Sequence, residues 1–240
     1  MDIPNVFKQF QNVVAAQSTR QYPFRLPNHH FLAEDFNVSD EENERNKLFF
    51  LNSLGINEHQ IAYAKQTHGN AVALVEEAKY LTDYDALISN KPNVILLISI
   101  ADCTPVLIYD SENKAVAAIH AGWRGTVSQI VGNTLNEMNK QFGTIGKNCF
   151  AYIGTCISEK SFEVGEDVAK QFSEQFILKQ EDKFFVNLKA ANQFQLLNFG
   201  VPLKQIELSE NCTYTNNQTY FSYRKENGKT GRMFALIGNK

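Results

Sequence analysis

Two histidines and one cysteine carry the strongest chemical signal in this sequence. His68 follows a short apolar segment, Cys103 precedes another, and His120 ends a third. Two imidazoles and one thiolate with an open fourth position are typical of a catalytic zinc site, and the same donors accept Cu²⁺. The sequence has no H-x-x-x-H or C-x-x-C motif around them. We therefore expect the three side chains to meet in space around Zn²⁺, with Cu²⁺ possible.

The same residues allow two other interpretations. Cys103 could act as a nucleophile that is activated by His120 or His68, or it could be a small buried residue near unrelated histidines. Asp102 precedes Cys103 directly. Its carboxylate could orient His120 or move a proton, or it could simply belong to a turn.

An arginine between glycines suggests an anion site. Arg124 lies in the segment 122–125, just before a predicted helix, where backbone N–H groups and a guanidinium favour a negative ligand. The alternative is an arginine on a solvated loop. Trp123 could stack on a flat ligand or pack in the core. Arg224 belongs to a second basic group near the C-terminus, although such residues are often only solvated.

The segments around Cys103 and His120 predict an antiparallel hairpin. Residues 105–109 and 115–119 are apolar and flank a polar turn, and residues 94–100 form an apolar run typical of a strand that is buried on both faces. The start of one hairpin strand lies beside the end of the other. The hairpin therefore brings Cys103 and His120 together.

Helical and strand patterns mix along the whole chain, which indicates one α/β domain over residues 1–240 with a mixed sheet. Residues 61–65 and 71–75 are predicted strands around the turn of His68. Further predicted strands are 13–16, 150–154, 205–208, 220–224 and 231–237. The predicted helices run from the N-cap Ser39 to Gly55 with an apolar face of Leu48, Leu51 and Leu54, from the N-cap Thr126 to 142, over 166–176 and over 188–199.

Composition narrows the class of protein. The 240 residues carry a formal net charge of -3, which gives no electrostatic case for nucleic acid or an anionic membrane. No apolar run reaches the roughly 20 residues that span a bilayer, and we see no signal-peptide pattern. The four cysteines lack the spacing of a disulfide scaffold, so we expect reduced thiols and a cytoplasmic protein. The sequence does not indicate the oligomeric state.

Several ordered motifs resemble one family. The chain is similar to the YfiH/YlmD-like purine nucleoside phosphorylases, formerly described as multicopper polyphenol oxidases or laccases. The matching segments run from residue 65 to the C-terminal region: 65–70, 101–106, 118–126, 152–154, 162–165, 211–213, 221–224 and 230–232.

This resemblance implies an α/β (α+β) fold, a single domain of mixed sheets sandwiched between helix layers. It implies zinc on His68, Cys103 and His120. It implies phosphorolysis of adenosine, inosine and methylthioadenosine to free base and ribose-1-phosphate, with adenosine deaminase activity besides. Purine nucleoside and phosphate are the expected partners. The expected catalytic residues are Asp102 and Arg124, and the expected substrate or phosphate contacts are Asn46, Lys65, Trp123 and Arg224.

The N-terminal third departs from the family pattern. Residues 21–38 replace a Gly-rich, Asn-containing loop, and Asn46-Lys47 stands where the family has Asn-Arg. These differences bear on substrate range more than on the metal. Two alternative functions stay open, a copper-dependent polyphenol oxidase and a non-catalytic metal or nucleoside binding protein. Five histidines are few for a four-copper oxidase.

Overall fold

The computed structural model describes residues 1–20 and 40–240, with side chains in the first helix described from Arg45 onward. The α-helices are α1 (Asp40–Ser53), α2 (Trp123–Val127), α3 (Ile130–Phe142), α4 (Glu166–Ala169) and α5 (Leu188–Asn198). The strands are β1 (Val13–Gln17), β2 (Ile61–Lys65), β3 (Val72–Leu74), β4 (Tyr80–Thr82), β5 (Ala86–Ser89), β6 (Ile95–Ile100), β7 (Thr104–Asp110), β8 (Ala115–Ala121), β9 (Cys149–Ile153), β10 (Glu163–Val164), β11 (Ile177–Gln180), β12 (Lys183–Val186), β13 (Ile206–Leu208) and β14 (Met233–Asn239).

Two mixed sheets pack face to face within the described part of the chain. One has the strand order β1-β14-β6-β2-β4 and the other β13-β9-β7-β8-β5-β3. Apolar side chains from both sheets, such as Leu96 and Ile98 on β6 and Leu107 on β7, form one buried cluster between them. Each sheet contains parallel and antiparallel pairs, as predicted.

Helices cover the outer face of each sheet. Ile130, Leu135 and Met138 of α3 pack with α5 on the six-stranded sheet, and Phe50 and Leu51 of α1 pack on the five-stranded sheet. Helices lie on both sides of the paired sheets, so β6, β7 and β8 are covered on both faces. This explains why their sequences are apolar at successive positions rather than at alternate ones. The predicted layered α/β architecture is confirmed.

The predicted hairpin is β7 and β8, with Asp110 at its turn. Asp110 accepts hydrogen bonds from the backbone N–H groups of Glu112 and Asn113, a local pattern that favours a turn. Thr104 pairs with Ala121 and Pro105 with His120. The hairpin register therefore places the residue before β7 beside the end of β8, as predicted.

The predicted helix from Thr126 to residue 142 is wrong at its start. The chain forms α2 first, breaks at Gln129 in a left-handed conformation (φ 60°), and resumes as α3. Gln195 of α5 accepts hydrogen bonds from the N–H groups of Val131 and Gly132 at the start of α3. A neighbouring helix thus satisfies the donors that this break leaves free, which a local pattern does not reveal.

The predicted helix over 166–176 is also wrong. Helix α4 ends at Ala169. The strands β11 and β12, which were not predicted, come after it and form a separate three-stranded antiparallel sheet with the order β10-β12-β11. Phe172 packs with Phe162 and Val186 in a small satellite cluster under this sheet. The apolar residues of this segment are partly buried, as the pattern indicated, but the backbone that carries Phe172 is not helical.

Four smaller predictions need correction or qualification. Residues 220–224 form turns instead of a strand, because Ser222 bonds Glu226 within a local loop. Strand β3 pairs with β5 in the other sheet and not with β2. Leu48 of α1 is exposed, whereas Phe50 and Leu51 are buried. The predicted N-cap Ser39 lies outside the described residues.

Candidate metal centre

The structure brings His68, Cys103 and His120 together. One donor atom from each lies within 4.8 Å of the others. His68 comes from the loop after β2, Cys103 from the turn between β6 and β7, and His120 from β8. His120 is buried, Cys103 is partly buried and His68 is exposed. The cluster therefore opens toward solvent on the side of His68.

These donors fit the metal that the sequence predicts. Two imidazoles and one thiolate in one cluster are compatible with a single Zn²⁺ or Cu²⁺ ion and leave a coordination position for a ligand. The rings of His68 and His120 lie with centroids 4.8 Å apart at an angle of 81°, so the edge of one ring faces the plane of the other and the rings are not stacked in parallel. Among the described residues this is the His/Cys/acid group whose geometry suits an ion.

Asp85, which precedes β5, connects two of the three donors. Its carboxylate lies 2.8 Å from Nδ1 of His120 and accepts hydrogen bonds from the N–H groups of Thr67, His68 and Gly69 at 3.2, 2.9 and 2.7 Å. The sequence alone does not single out this residue. Its signal is faint, an acid before the apolar segment 86–89, and only the pairing of β5 with β8 sets it opposite His120.

The imidazole of His120 and the thiol of Cys103 stabilise each other's charged forms. Burial raises the pKa of the Cys103 thiol, but the charge and hydrogen bond of His120, with help from His68, outweigh burial and lower the pKa to about 6. Burial lowers the pKa of His120, while Cys103 and Asp85 raise it to about 9. A thiolate beside two imidazoles is the state in which this group binds a metal.

Two glycines leave room for the cluster. A Cβ atom at Gly122 would lie 3.1 Å from Sγ of Cys103 and 3.2 Å from Cδ2 of His68. A Cβ atom at Gly125 would lie 2.7 Å from the carbonyl oxygen of Gly69. The first glycine gives space to the donors, and the second lets α2 approach the loop of His68.

Asp102 does not contact His120, contrary to the interpretation that its carboxylate orients this histidine. Its carboxylate accepts hydrogen bonds from the hydroxyl of Thr213 at 2.5 Å and from the backbone N–H of Arg224 at 2.7 Å. Its φ angle is 80°, which turns the side chain toward the C-terminal loops. Asp85 occupies the position beside His120 that the sequence analysis assigned to Asp102.

The predicted anion residues lie near the cluster, but with different partners. Arg124 stacks on the ring of Trp123 at 4.4 Å, and Arg224 donates to the carbonyl of Glu163 at 2.7 Å and lies over Phe162. Helix α2 has only five residues, which weakens the predicted contribution of a helix N-terminus.

A wide cleft contains the cluster. His68, Cys103 and His120 line it, and so do Asp102 and four other predicted site residues, Lys65, Trp123, Arg124 and Arg224. Asn46, on α1, is not among its described lining residues. Seven basic side chains line it against four acidic ones in the part of the chain that the structure describes, whereas the whole chain has a net charge of -3. The cleft therefore favours an anionic ligand.

The described helices give no sign of a membrane span, since none combines the length and apolar character that crossing a bilayer requires.

Comparison with known proteins points to one family. The family model described as "Multi-copper polyphenol oxidoreductase laccase" matches residues 14–240. A protein of Bacteroides thetaiotaomicron named purine nucleoside phosphorylase is 40% identical over 215 residues, covering 82% of this chain and 80% of its own length. The purine nucleoside phosphorylase YfiH of Escherichia coli is 32% identical and covers 95% of both chains.

A solved structure agrees with this relationship. The Bacillus licheniformis protein YfiH superposes with a TM-score of 0.89 at 27% identity, covering 98% of this chain and 94% of that one. The fold, the match of the family model and the relatives agree with one another. This chain belongs to the YfiH/YlmD-like family, whose model bears the name of a multicopper polyphenol oxidoreductase laccase.

Proposed function

We propose that the protein is a zinc-dependent purine nucleoside phosphorylase that cleaves adenosine, inosine and methylthioadenosine. One observation carries the proposal: the His68–Cys103–His120 cluster opens into a cleft with an excess of basic side chains. Relatives that the chain matches over most of its length bear the name purine nucleoside phosphorylase. A metal and bound phosphate are the two components that this cleft is best suited to hold.

In the proposed reaction, phosphate attacks the anomeric carbon of the ribose while the bond to the purine nitrogen breaks. The bonding electron pair leaves with the base, which takes up a proton. Arg124, Arg224 and Lys65 line the cleft and would hold phosphate against the sugar. Fixed cations at a site of developing charge are often the largest contribution to catalysis. The indole ring of Trp123 would form one wall of the pocket for the flat purine.

The donor set would hold zinc through His68, Cys103 and His120, with His120 oriented by Asp85. When bound, zinc supplies Lewis-acid chemistry and activates water. Asp102 is held by Thr213 and Arg224 at the wall of the cleft, where its proposed role is to accept or return a proton. Adenosine deamination, in which water replaces the amino group at C6 and ammonia leaves, is the proposed second activity.

The direct test is product analysis with inosine. Purified protein with phosphate should release hypoxanthine and ribose-1-phosphate in equal amounts, and omission of phosphate should abolish ribose-1-phosphate formation. Adenosine would be assayed in parallel for inosine and ammonia. Inosine binding by calorimetry without any product would identify a non-catalytic binding protein instead.

The family name suggests a second candidate, copper-dependent phenol oxidation. The observation in its favour is that two imidazoles and a thiolate also bind copper. A four-copper centre needs many more histidines than the five in this sequence. Phenol oxidation by the protein as purified, at a rate above that of free Cu²⁺, would favour this function over phosphorolysis.

A further inference from the structure

Asp85 is a buried carboxylate that contacts His120 and the loop of His68 but does not belong to the group of metal donors. Its side chain is 1% exposed, and a carboxylate buried to this degree requires several partners to be stable. It has four backbone or side-chain donors from the loop of Thr67, His68 and Gly69, besides the ring of His120. One carboxylate thus contacts both the backbone loop that carries His68 and the ring of His120.

The first support is the loop of His68. His68 has a φ angle of 61°, a left-handed conformation that is unfavourable for a residue with a Cβ atom. The N–H groups of Thr67, His68 and Gly69 converge on the two oxygens of Asp85. Hydrogen bonds to a charged acceptor are among the stronger ones in proteins, so they offset this conformational cost.

The second support is the ring of His120. Its Nδ1 atom lies 2.8 Å from Oδ1 of Asp85, so Nε2 is the ring nitrogen that is left for a metal. A carboxylate bonded to the other nitrogen fixes the tautomer and orientation of a ligating histidine and raises its basicity. The backbone N–H of His120 also donates to the carbonyl of Asp85 at 2.8 Å, which fixes the distance between the two residues.

We propose that Asp85 is the positioning residue of the metal centre, and that it preorganises His68 and His120 together as ligands. This role rests on the zinc site of the proposed function, but it does not depend on which reaction the cleft performs. Loss of Asp85 removes the support of two ligands in one step. Zinc affinity should therefore fall although all three donors remain.

Asp110 provides a matched control. It lies at the turn of the β7–β8 hairpin, at the end away from Cys103 and His120. Its side chain is fully buried, and it accepts hydrogen bonds from the N–H groups of Glu112 and Asn113 and from the Asn113 amide. Asp110→Asn disturbs a buried carboxylate with backbone donors without touching the cluster. It separates a general loss of stability from an effect on the ligands.

The experiment measures zinc dissociation constants of the wild type, Asp85→Asn and Asp110→Asn by competition with a chromogenic chelator. We expect Asp85→Asn to bind zinc about 10- to 100-fold more weakly, the usual range for such partners, and Asp110→Asn to stay near the wild-type value. An Asp85→Asn affinity equal to that of the wild type, or an equal loss in both variants, would overturn the proposal.

A second measurement uses the unmodified protein, so it does not require Asp85→Asn to fold. Nitrogen NMR of the histidine rings in the zinc-loaded wild type should show a proton on Nδ1 of His120 and the metal on Nε2. Zinc on Nδ1 would contradict the proposed role of Asp85. Both readouts report metal binding, so an absence of phosphorolysis would refute the proposed function alone.

Discussion

At the scale of single residues, backbone conformation matters as much as the type of side chain. His68 and Asp102 both have left-handed backbones, which direct one side chain into the metal cluster and the other toward the C-terminal loops. Gly122 has an ordinary φ of -69°, so the backbone does not require glycine there. Its lack of a Cβ atom instead leaves room for the side chains of Cys103 and His68. The donors therefore depend on neighbours that do not bind the metal.

Replacing Gly122 with alanine should weaken zinc binding. The new Cβ atom would lie 3.1 Å from Sγ of Cys103 and 3.2 Å from Cδ2 of His68, so both donors must shift. We expect affinity to fall roughly 10-fold, comparable to the loss of a supporting partner. Gly132→Ala in α3 is the control, because its Cβ atom meets nothing closer than 4.0 Å. Unchanged zinc affinity in Gly122→Ala would show that the crowding is harmless.

Asp85 should also make stability depend on acid pH. Burial raises its pKa, but hydrogen bonds from His120, Gly69 and Thr67 and the charge of His120 outweigh burial and lower the pKa from 3.8 to about 2. Since the folded pKa is lowered, the carboxylate stabilises the fold above about pH 4, and this contribution disappears as pH falls toward 2.

Urea unfolding of metal-free wild type and Asp85→Asn over this pH range tests the shift. The difference in unfolding free energy between the two proteins should be steady near pH 5 to 6, where His120 is protonated, and should shrink below about pH 4. A difference that is independent of pH would mean that Asp85 has an ordinary pKa in the folded protein.

Residue types and positions made the three donors candidates, because each stands at the end of a strand-like segment, and the resemblance to the family then favoured a metal site over a cysteine nucleophile. They did not suffice for Asp85, which is 35 residues from its partner His120. That contact depends on the pairing of β5 with β8, and nothing local in the sequence specifies which strands pair.

At the scale of elements, polar side chains of α5 hold the broken helix α2–α3 in place. Asn192 bonds the hydroxyl of Thr126, and Gln195 donates to the carbonyl of Thr126 while it accepts from Val131 and Gly132. Both α5 side chains are buried. This network fixes α2, and with it Trp123 and Arg124, at the wall of the cleft.

Gln195→Leu should destabilise the protein by about 1–3 kcal/mol, because it leaves buried N–H groups without an acceptor. Gln141→Leu on the exposed end of α3 is the matched control and should change the unfolding free energy little. Urea denaturation measures both values. Equal stability of the two variants would show that water or a shifted backbone replaces the lost bonds.

Elements with strong apolar patterns were predictable, as β6, β7, β8 and α5 show. The break at Gln129 was not, since its left-handed residue is stabilised by a helix that lies more than 50 residues away in sequence. The strands β11 and β12 are short and only partly buried. Their alternation is too brief to distinguish from a helical period.

At the scale of the whole molecule, charge is distributed unevenly. The chain is acidic overall, yet its cleft has more basic than acidic residues among those described. Such a cleft concentrates anions and speeds their association, an effect that salt screens. The pattern of the sequence predicts an α/β domain with mixed sheets and the family resemblance implies its layers, whereas the position of the cleft depends on loops that the sequence alone did not place.

Salt should therefore affect the two proposed substrates differently. We expect kcat/KM for phosphate to fall several-fold between low salt and about 0.5 M salt, while kcat/KM for the neutral nucleoside inosine changes little. Comparing two monovalent salts separates screening from competition by a particular anion. An equal response of both substrates would contradict electrostatic guidance by the cleft.

The central claim is that one ion on His68, Cys103 and His120 supports phosphorolysis. The most direct measurement follows hypoxanthine release from inosine and phosphate as zinc is added to chelator-treated protein. We predict that activity rises up to about one equivalent of zinc, as a single three-donor site requires, and that His120→Ala neither binds zinc nor gains activity. Full activity of the metal-free protein, or of metal-free His120→Ala, would contradict the account.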